Sequence, residues 1–264
     1  MAETSRSRVL KIERIDRTLV WTITRPEAKN ALNRDAIEQL LRAADDAGKD
    51  PTLRAVVLTG EGDTFVSGGD LRELRDAVTA AQAEEFSAAG AALCARLEAL
   101  PVPVIAALPG PALGGGVELA LACDLRVADA RARLSFRQVR MGVTTAWGSV
   151  ARLVALVGRS TAARLLYTSH EISATDAKTV GLVDEVVSNG SCTEVAIAWA
   201  LDVTHGSPTA IASMKALLRT ACAPSDALAA EERRRFVGTW TSADHTEAMD
   251  AYFARRPPKW LDRE

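Results

Sequence analysis

The chain has 264 residues, of which 48% are hydrophobic, and a formal net charge of -2. This length and apolar content suffice for a large buried core, whereas the near-neutral charge offers no basic surface of the kind that general nucleic-acid binding requires. Because the sequence contains no uninterrupted apolar run of about 18 residues, we expect neither a membrane span nor a membrane partner.

The first half of the chain predicts short strands that alternate with helices, which favours an α/β fold. Asn33 is a suitable N-cap for an amphipathic helix over residues 34–47, and Gly48 is expected to end that helix. The other elements predicted in this half are a hairpin of strands 9–15 and 18–24, a buried strand 54–59, a helix after Asp70, a helix 84–100, a strand 102–108, a helix 117–123 and a strand 124–128.

The second half becomes progressively more helical. Two helices, 150–157 and 160–167, meet at Gly158, and a capping turn at 173–176 precedes the last predicted strand, 183–187. From Cys192 onward only helices are indicated, with Pro208 and Pro224 as breakers. This change in composition predicts a core over residues 1–200 and a helical region over residues 201–264.

Metal and nucleotide cofactors are not indicated by the residue pattern. HExxH, CxxC, Walker and GxGxxG motifs are missing from the sequence. Four cysteines are too widely spaced for a metal site, and we expect them to be reduced thiols: Cys94, Cys123, Cys192 and Cys222. The N-terminus has no apolar segment of signal-peptide type, so a cytoplasmic location is favoured.

Two predicted strands lead through glycine-rich turns into helices, at residues 67–70 and 114–116. The start of a helix offers free N–H groups and the positive end of the helix dipole, which favour an anion or a developing oxyanion. Two such turns could direct two N–H donors at one carbonyl oxygen.

Glu118 is the charged residue of the otherwise apolar helix that follows the second turn. Its position three residues after Gly115 places the carboxylate on the same face as the Gly115 amide. A charge in such a place is rarely buried without a role. The alternative is that the glycines only allow close packing and that Glu118 only caps a helix or forms an ion pair.

The segments FVSGGDLREL (65–74) and ALGGGVELALACDLRVA (112–128) resemble the paired signatures of the enoyl-CoA hydratase/isomerase (crotonase) superfamily. RPEAKNALN near the start and RRPPKW near the end also match, so the resemblance extends from about Leu19 onward. It implies a spiral of ββα turns, an acyl-CoA thioester substrate that brings its own coenzyme A, and an enolate held in an oxyanion hole. By position the hole amides are those of Gly69 and Gly115, and one such donor typically lowers a barrier by roughly 3–4 kcal/mol.

Further candidate contacts with substrate or CoA follow from this resemblance: Ser67, Gly68, Asp70, Leu71, Trp147, Tyr252 and Arg255. For Asp70 we prefer a capping role at the start of the next helix. Trp147 either shapes the acyl pocket or fills core space. Tyr252 and Arg255 suit adenine and phosphate, although a solvated arginine is an equal alternative.

The chain departs from the family pattern at Gln138, where many relatives carry a second acid. Glutamine can orient water or a substrate oxygen but cannot exchange a proton. The loop GVTTAWGS (142–149) also resembles rarer variants that include decarboxylases of malonyl-type acyl-CoA. In that reading Arg137 or Arg140 would meet the substrate carboxylate, whereas arginines on such a stretch usually face water.

The sequence therefore predicts an acyl-CoA lyase in which Glu118 moves the proton or activates the water, with Gln138 as the second catalytic candidate. Reversible hydration of a 2-enoyl-CoA is the default reaction, decarboxylation is its close rival, and double-bond isomerisation comes third. The non-enzymatic alternative is a scaffold or an RNA-associated subunit. The family resemblance further implies that residues 201–264 assemble the chain into a homotrimer or a dimer of trimers.

Overall fold

The computed structural model of the protein describes residues 9–75, 79–222 and 226–259. Its strands are β1 (Leu10–Ile15), β2 (Thr18–Ile23), β3 (Ala55–Gly60), β4 (Val104–Leu108), β5 (Ala112–Leu113), β6 (Leu125–Asp129), β7 (Arg133–Ser135), β8 (Ile172–Ser173) and β9 (Glu185–Val187). The main sheet has the order β1-β2-β3-β4-β6-β9, and a smaller sheet has the order β5-β7-β8. In the main sheet only the hairpin β1–β2 is antiparallel.

The helices follow the strands in alternation through the first half and then accumulate. They are α1 (Arg34–Lys49), α2 (Leu71–Leu74), α3 (Ala80–Ala99), α4 (Gly115–Leu121), α5 (Ser149–Thr168), α6 (Ala174–Thr179), α7 (Cys192–Val203), α8 (Pro208–Cys222), α9 (Asp226–Trp240) and α10 (Ala243–Phe253). Two single turns of 3-10 helix lie at Pro26–Ala28 and Gln138–Met141. Among the described residues no helix is both long and apolar enough to cross a bilayer.

The α/β fold predicted from the sequence is confirmed, and the residues that cap and bend the helices explain several boundaries. The Asn33 side chain accepts a hydrogen bond from the Ala36 amide at 2.9 Å and so starts α1. Gly158, with φ 72° and ψ 162°, separates the two halves of α5 as the sequence predicted. Ser173 caps α6 by accepting from the Asp176 amide.

Some predicted boundaries were wrong for identifiable reasons. Gly48 lies inside α1 rather than ending it, because the helix continues to Lys49 and is capped at Asp50. Strands β5, β7 and β8 were not predicted, since two or three residues are too few to show a periodicity of two. Pro224 and Trp260, which belong to the predicted helix break and the RRPPKW match, lie outside the described residues.

Helices cover both faces of the main sheet. One face packs on α1, α3 and α4 in the larger apolar core, which includes the buried Cys94 and Cys123. On the other face Ala196 and Ala200 of α7 pack against Val57, Ile105 and Val127. The predicted division at residue 200 therefore falls within a helix that covers the sheet.

The C-terminal helices are anchored on this core. The buried Lys215 ammonium of α8 donates to the carbonyl oxygens of Leu97 and Val102 at 3.1 and 2.9 Å and to Asp124 Oδ2 at 2.7 Å. Phe236 of α9 packs on Phe86 of α3 with ring centroids 6.5 Å apart. These contacts bring the helical region over the same part of the molecule that contains the glycine turns.

Candidate active site

The two glycine turns lie side by side. A bridge pairs Val66 with Ala112, and the Leu113 amide donates to the Val66 carbonyl at 2.9 Å. Gly68 fits so closely that a Cβ atom there would be 3.4 Å from the Gly115 nitrogen. The strand-to-helix connections predicted separately from the sequence thus meet at one place.

The amides of Gly69 and Gly115 are available to a ligand. Within the described residues neither N–H donates to a protein acceptor, although the neighbouring amides do. The Asp70 amide donates to the Leu32 carbonyl at 2.9 Å, and the Gly114 amide donates to the Ser135 carbonyl at 2.8 Å. Because backbone donors are nearly always satisfied, two unused ones in adjacent turns indicate a place for an acceptor that comes from outside the chain.

An aromatic pair closes the space behind both glycines. A Cβ atom at Gly69 would lie 2.8 Å from Phe86 Cζ, and one at Gly115 would lie 2.6 Å from Trp147 Cη2. The two rings contact each other, with centroids 5.7 Å apart. Only glycine fits at either position without displacement of this pair, which is a packing reason for both residues.

Glu118 lies beside these turns and is almost fully buried, with 2% of its surface exposed. Its Oε2 accepts hydrogen bonds from the amides of Trp147 at 2.9 Å and Ala146 at 3.3 Å, and its Oε1 accepts from Gln138 Nε2 at 2.8 Å. Burial and the nearby Glu232 raise the pKa of Glu118 to about 7, against the opposing effect of these donors. The carboxyl group can therefore exchange a proton near neutral pH.

Gln138 offers one further polar atom. Its Oε1 is buried and has no hydrogen-bond partner among the described residues. The orientation of the side-chain amide follows from Nε2, which donates to Glu118. Gln138 Oε1 is consequently an acceptor that a water molecule or a substrate hydroxyl could use.

Ser67 and Gly68 of the first turn form hydrogen bonds with the segment over residues 28–32. Ser67 Oγ is 3.4 Å from the Ala28 carbonyl, and the Gly68 carbonyl accepts from the Leu32 amide. Asp70 accepts from the Arg72 amide at 3.1 Å, the capping geometry that we preferred, and it pairs with Arg25 at 2.8 Å.

The other residues that the sequence suggested as substrate or CoA contacts differ in their burial. Leu71 begins α2 and is partly exposed, whereas Trp147 is buried. Tyr252 and Arg255 are exposed at the C-terminal end of α10, where Tyr252 packs edge-on against Phe253. In the described residues no hydrogen bond, ion pair or ring contact connects Tyr252 or Arg255 with Glu118.

The two arginines considered for a substrate carboxylate are directed elsewhere. Arg137 pairs with Glu171 at 2.6 Å, and Arg140 donates to the Thr168 carbonyl at 3.2 Å. Both contacts lie at the surface, in agreement with the interpretation that arginines on this stretch face water.

Glu232 on α9 is a buried carboxylate close to Glu118 that the sequence reasoning missed. It stands in the strongly charged segment EERRR, which is typical of a solvated helix face. The signal that could have found it is its spacing, since Phe236 and Trp240 follow at intervals of four residues. All three are buried in the structure.

Adjacent free amides and a buried carboxyl group of near-neutral pKa are the features expected of a site for acid–base catalysis. A family model described as enoyl-CoA hydratase/isomerase matches residues 16–263, and the chain belongs to this family. It is 35% identical to a short-chain-enoyl-CoA hydratase of Clostridium acetobutylicum, over 93% of this chain and 94% of that protein. It is 40% identical to a crotonyl-CoA hydratase of Syntrophomonas wolfei, over 67% and 68%.

Solved structures agree with this assignment. An enoyl-CoA hydratase from Mycobacterium avium subsp. paratuberculosis superposes with a TM-score of 0.87 at 27% identity, over 96% of this chain and 99% of that one. The crotonase-type fold expected from the sequence is thereby confirmed.

Proposed function

We propose that the protein catalyses the reversible hydration of a 2-enoyl-CoA, with Glu118 as the acid–base group. The observation that carries this proposal is a buried carboxylate of pKa about 7, held beside two adjacent glycine amides that no protein atom uses. Hydration needs both parts. The amides stabilise negative charge on the thioester oxygen, and the carboxylate transfers a proton.

In this reaction the thioester carbonyl accepts hydrogen bonds from the amides of Gly69 and Gly115. Water adds to C3 of the enoyl group, and the electron pair of the double bond moves toward the carbonyl oxygen to form an enolate. Preorganised donors are more effective for the enolate than for the neutral thioester, so they lower the barrier.

One carboxylate is sufficient for the proton balance. Ionised Glu118 removes a proton from the attacking water and then delivers it to C2, so that H and OH are added and the enzyme is restored. Gln138 is proposed to orient the water through its free Oε1 while Nε2 fixes the carboxylate. This division of roles replaces the second acid that many relatives carry at the position of Gln138.

We further propose that the acyl group is short. The aromatic side chains Phe86 and Trp147 close the space behind both glycines, and Phe236 and Trp240 extend the same cluster. Two of the relatives are named for short-chain-enoyl-CoA and crotonyl-CoA, which supports the same substrate class.

Decarboxylation of a malonyl-type acyl-CoA is the second candidate, favoured by the replacement of an acid at Gln138. A carboxylated substrate would need a cation, whereas Arg137 and Arg140 point to other partners and Arg152 is bound to Glu98. We therefore place hydration first, ahead of decarboxylation and isomerisation, and ahead of a scaffold or RNA-associated role.

The test is to incubate the purified protein with crotonyl-CoA and, separately, with methylmalonyl-CoA. Loss of enoyl absorbance in the first, without CO₂ release in the second, is expected and should need no added metal or cofactor. CO₂ release alone would establish the decarboxylase, and double-bond migration in a 3-enoyl-CoA alone would establish the isomerase. Turnover of none of these substrates, with retention of RNA, would support the non-enzymatic role.

Assembly and location complete the proposal. Met214, Leu217 and Leu218 of α8 are 63–69% exposed, which suits a contact between subunits in a homotrimer or a dimer of trimers. Tyr252 and Arg255 would then reach CoA in a neighbouring subunit. Light scattering that shows a monomer would contradict this assembly.

A cytoplasmic location is supported by three free, buried cysteines, Cys94, Cys123 and Cys192, and cell fractionation would test it.

A further inference from the structure

Glu232 is placed to control the loop that holds Glu118. It comes from α9, is 7% exposed, and accepts a hydrogen bond from the Thr145 hydroxyl. Burial raises the pKa of Glu232, and the Thr145 hydroxyl, Arg152 and the nearby backbone amides of Val150 and Ser149 at the start of α5 oppose this rise. The free amides and the dipole of the first segment of α5, which ends at Gly158, favour the ionised form of a carboxylate at this place.

The loop over residues 144–148 connects this carboxylate to Glu118. Its amides at Ala146 and Trp147 donate to Glu118 Oε2, while the Thr145 hydroxyl donates to Glu232. A second contact with α9 comes from the Thr144 amide, which donates to Thr239 Oγ1 at 3.2 Å. Helix α9 therefore anchors this loop at two successive residues, Thr144 and Thr145.

We propose that Glu232 is a positioning residue for Glu118: it fixes loop 144–148 in the orientation in which its amides reach the Glu118 carboxylate, and it places a second buried negative charge beside that carboxylate. This inference deepens the proposed hydration and rests on it for the chemistry, but the loop contacts and the charge interaction do not depend on which reaction takes place.

Three further titratable side chains lie around the two carboxylates: Arg152, Glu98 and Cys94. Arg152 of α5 acts on both Glu118 and Glu232, but its guanidinium is held by Glu98 of α3 through two bonds of 2.7 Å. Cys94 of α3 also faces Glu118, and burial holds this thiol in its neutral form. Glu232 is thus the negative charge that contributes to the raised pKa of Glu118, after burial itself.

Arg152 also fixes the far end of the loop. Its Nη1 donates to the Trp147 carbonyl at 2.6 Å, so the peptide between Trp147 and Gly148 is held from the side of α5. Glu232 and Arg152 together restrain the loop at both ends.

The decisive comparison is Glu232→Gln against the matched control Glu84→Gln. The control removes an exposed carboxylate of α3 that is paired with Arg233, the residue next to Glu232 on α9. Titration of Glu118 is followed by ¹³C NMR on protein labelled at the glutamate Cδ, with the resonance assigned by its loss in Glu118→Gln. In Glu232→Gln we expect the Glu118 titration to move down by about one pH unit, because a like charge has been removed. In the control it should not move.

Activity provides the second readout. The acid limb of the kcat/KM profile with crotonyl-CoA should move to lower pH together with the NMR titration. A purely structural role would lower kcat without moving either curve, and an unchanged Glu118 titration in folded Glu232→Gln would overturn the proposal. If the protein does not hydrate crotonyl-CoA, the NMR titration still decides the role of Glu232, so the two proposals can fail separately.

Thr145→Val keeps the test decisive if Glu232→Gln does not fold. This variant removes the hydroxyl donor that stabilises ionised Glu232, so it should shift Glu118 in the same downward direction by a smaller amount. A Glu118 titration that coincides with the wild type in folded Thr145→Val would then reject the inference.

Discussion

Replacement of Glu118 by glutamine is expected to stabilise the fold at alkaline pH while it removes the acid–base group. The buried carboxyl has a pKa of about 7, compared with 4.5 for an ordinary glutamate. This difference means that the folded state disfavours the ionised form by about 3 kcal/mol. Glutamine keeps the size of the side chain, and Gln138 can turn its amide so that Oε1 accepts from the new amide group.

The sign of the effect follows from which state holds the proton. Below pH 4.5 Glu118 is protonated in both states, so its charge contributes nothing to the difference between variant and wild type. Between pH 4.5 and 7 the unfolded chain loses this proton while the folded chain keeps it, and the wild type loses stability relative to the variant. Above pH 7 the difference stays constant.

Urea denaturation at a fixed protein concentration, repeated from pH 4.5 to pH 8, measures this difference. The free energy of unfolding of Glu118→Gln minus that of the wild type should grow by about 3 kcal/mol over this range. Hydration of crotonyl-CoA should be lost at every pH. A stability difference that does not change with pH would refute the raised pKa of Glu118.

Three other substitutions test the site and its support. Gly115→Ala should lower kcat roughly 10²- to 10³-fold, because a Cβ atom 2.6 Å from Trp147 Cη2 displaces the amide donor, and steady-state kinetics with crotonyl-CoA measure this loss. Gln138→Glu should add a second step to the pH–rate profile and move the acid limb to higher pH, because two carboxyl groups in contact titrate as a coupled pair. Lys215→Met should lower the free energy of unfolding in urea by about 2–3 kcal/mol and leave the acid limb in place.

Each of these predictions has its own contrary outcome. Gly48→Ala is the matched control for Gly115→Ala. Gly48 lies within α1, and a Cβ atom there would be 3.7 Å from Leu100, so this variant should keep full activity. Full activity in Gly115→Ala would exclude that amide from the oxyanion hole. A single unshifted limb in Gln138→Glu would place residue 138 away from the reacting carboxylate. Wild-type stability in Lys215→Met would mean that the buried ammonium adds nothing to the packing of α8.

Local sequence signals were sufficient for the parts of the site that a strand, a turn and a helix build in succession. The apolar runs of β3 and β4 are buried along their whole length, and each is followed by its glycine turn as predicted. Because Glu118 follows Gly115 by three residues, helix geometry places the two residues on one face of α4. These features could be predicted because each of them is built by residues that are close together in the sequence.

Long-range features could not be predicted in the same way. Strand β5 has two residues and pairs with β7, so no periodicity marks it. Glu232 lies 114 positions after Glu118 and belongs to a helix whose charged sequence indicates a solvated face. Its burial results from the packing of α9 against α3 through Phe236 and Trp240, which depends on the complete fold.

The two departures at Gln138 and Glu232 are connected through electrostatics. At position 138 an amide contacts Glu118 as a donor and presents an acceptor oxygen, so a group that does not titrate occupies the position where the family resemblance implies a second acid. The second carboxylate lies instead behind loop 144–148, where it accepts a hydrogen bond from Thr145 and lies near the start of α5. From there its charge still favours the protonated form of Glu118. A single ionising group in the acid limb of the pH–rate profile is therefore the expected signature of this arrangement.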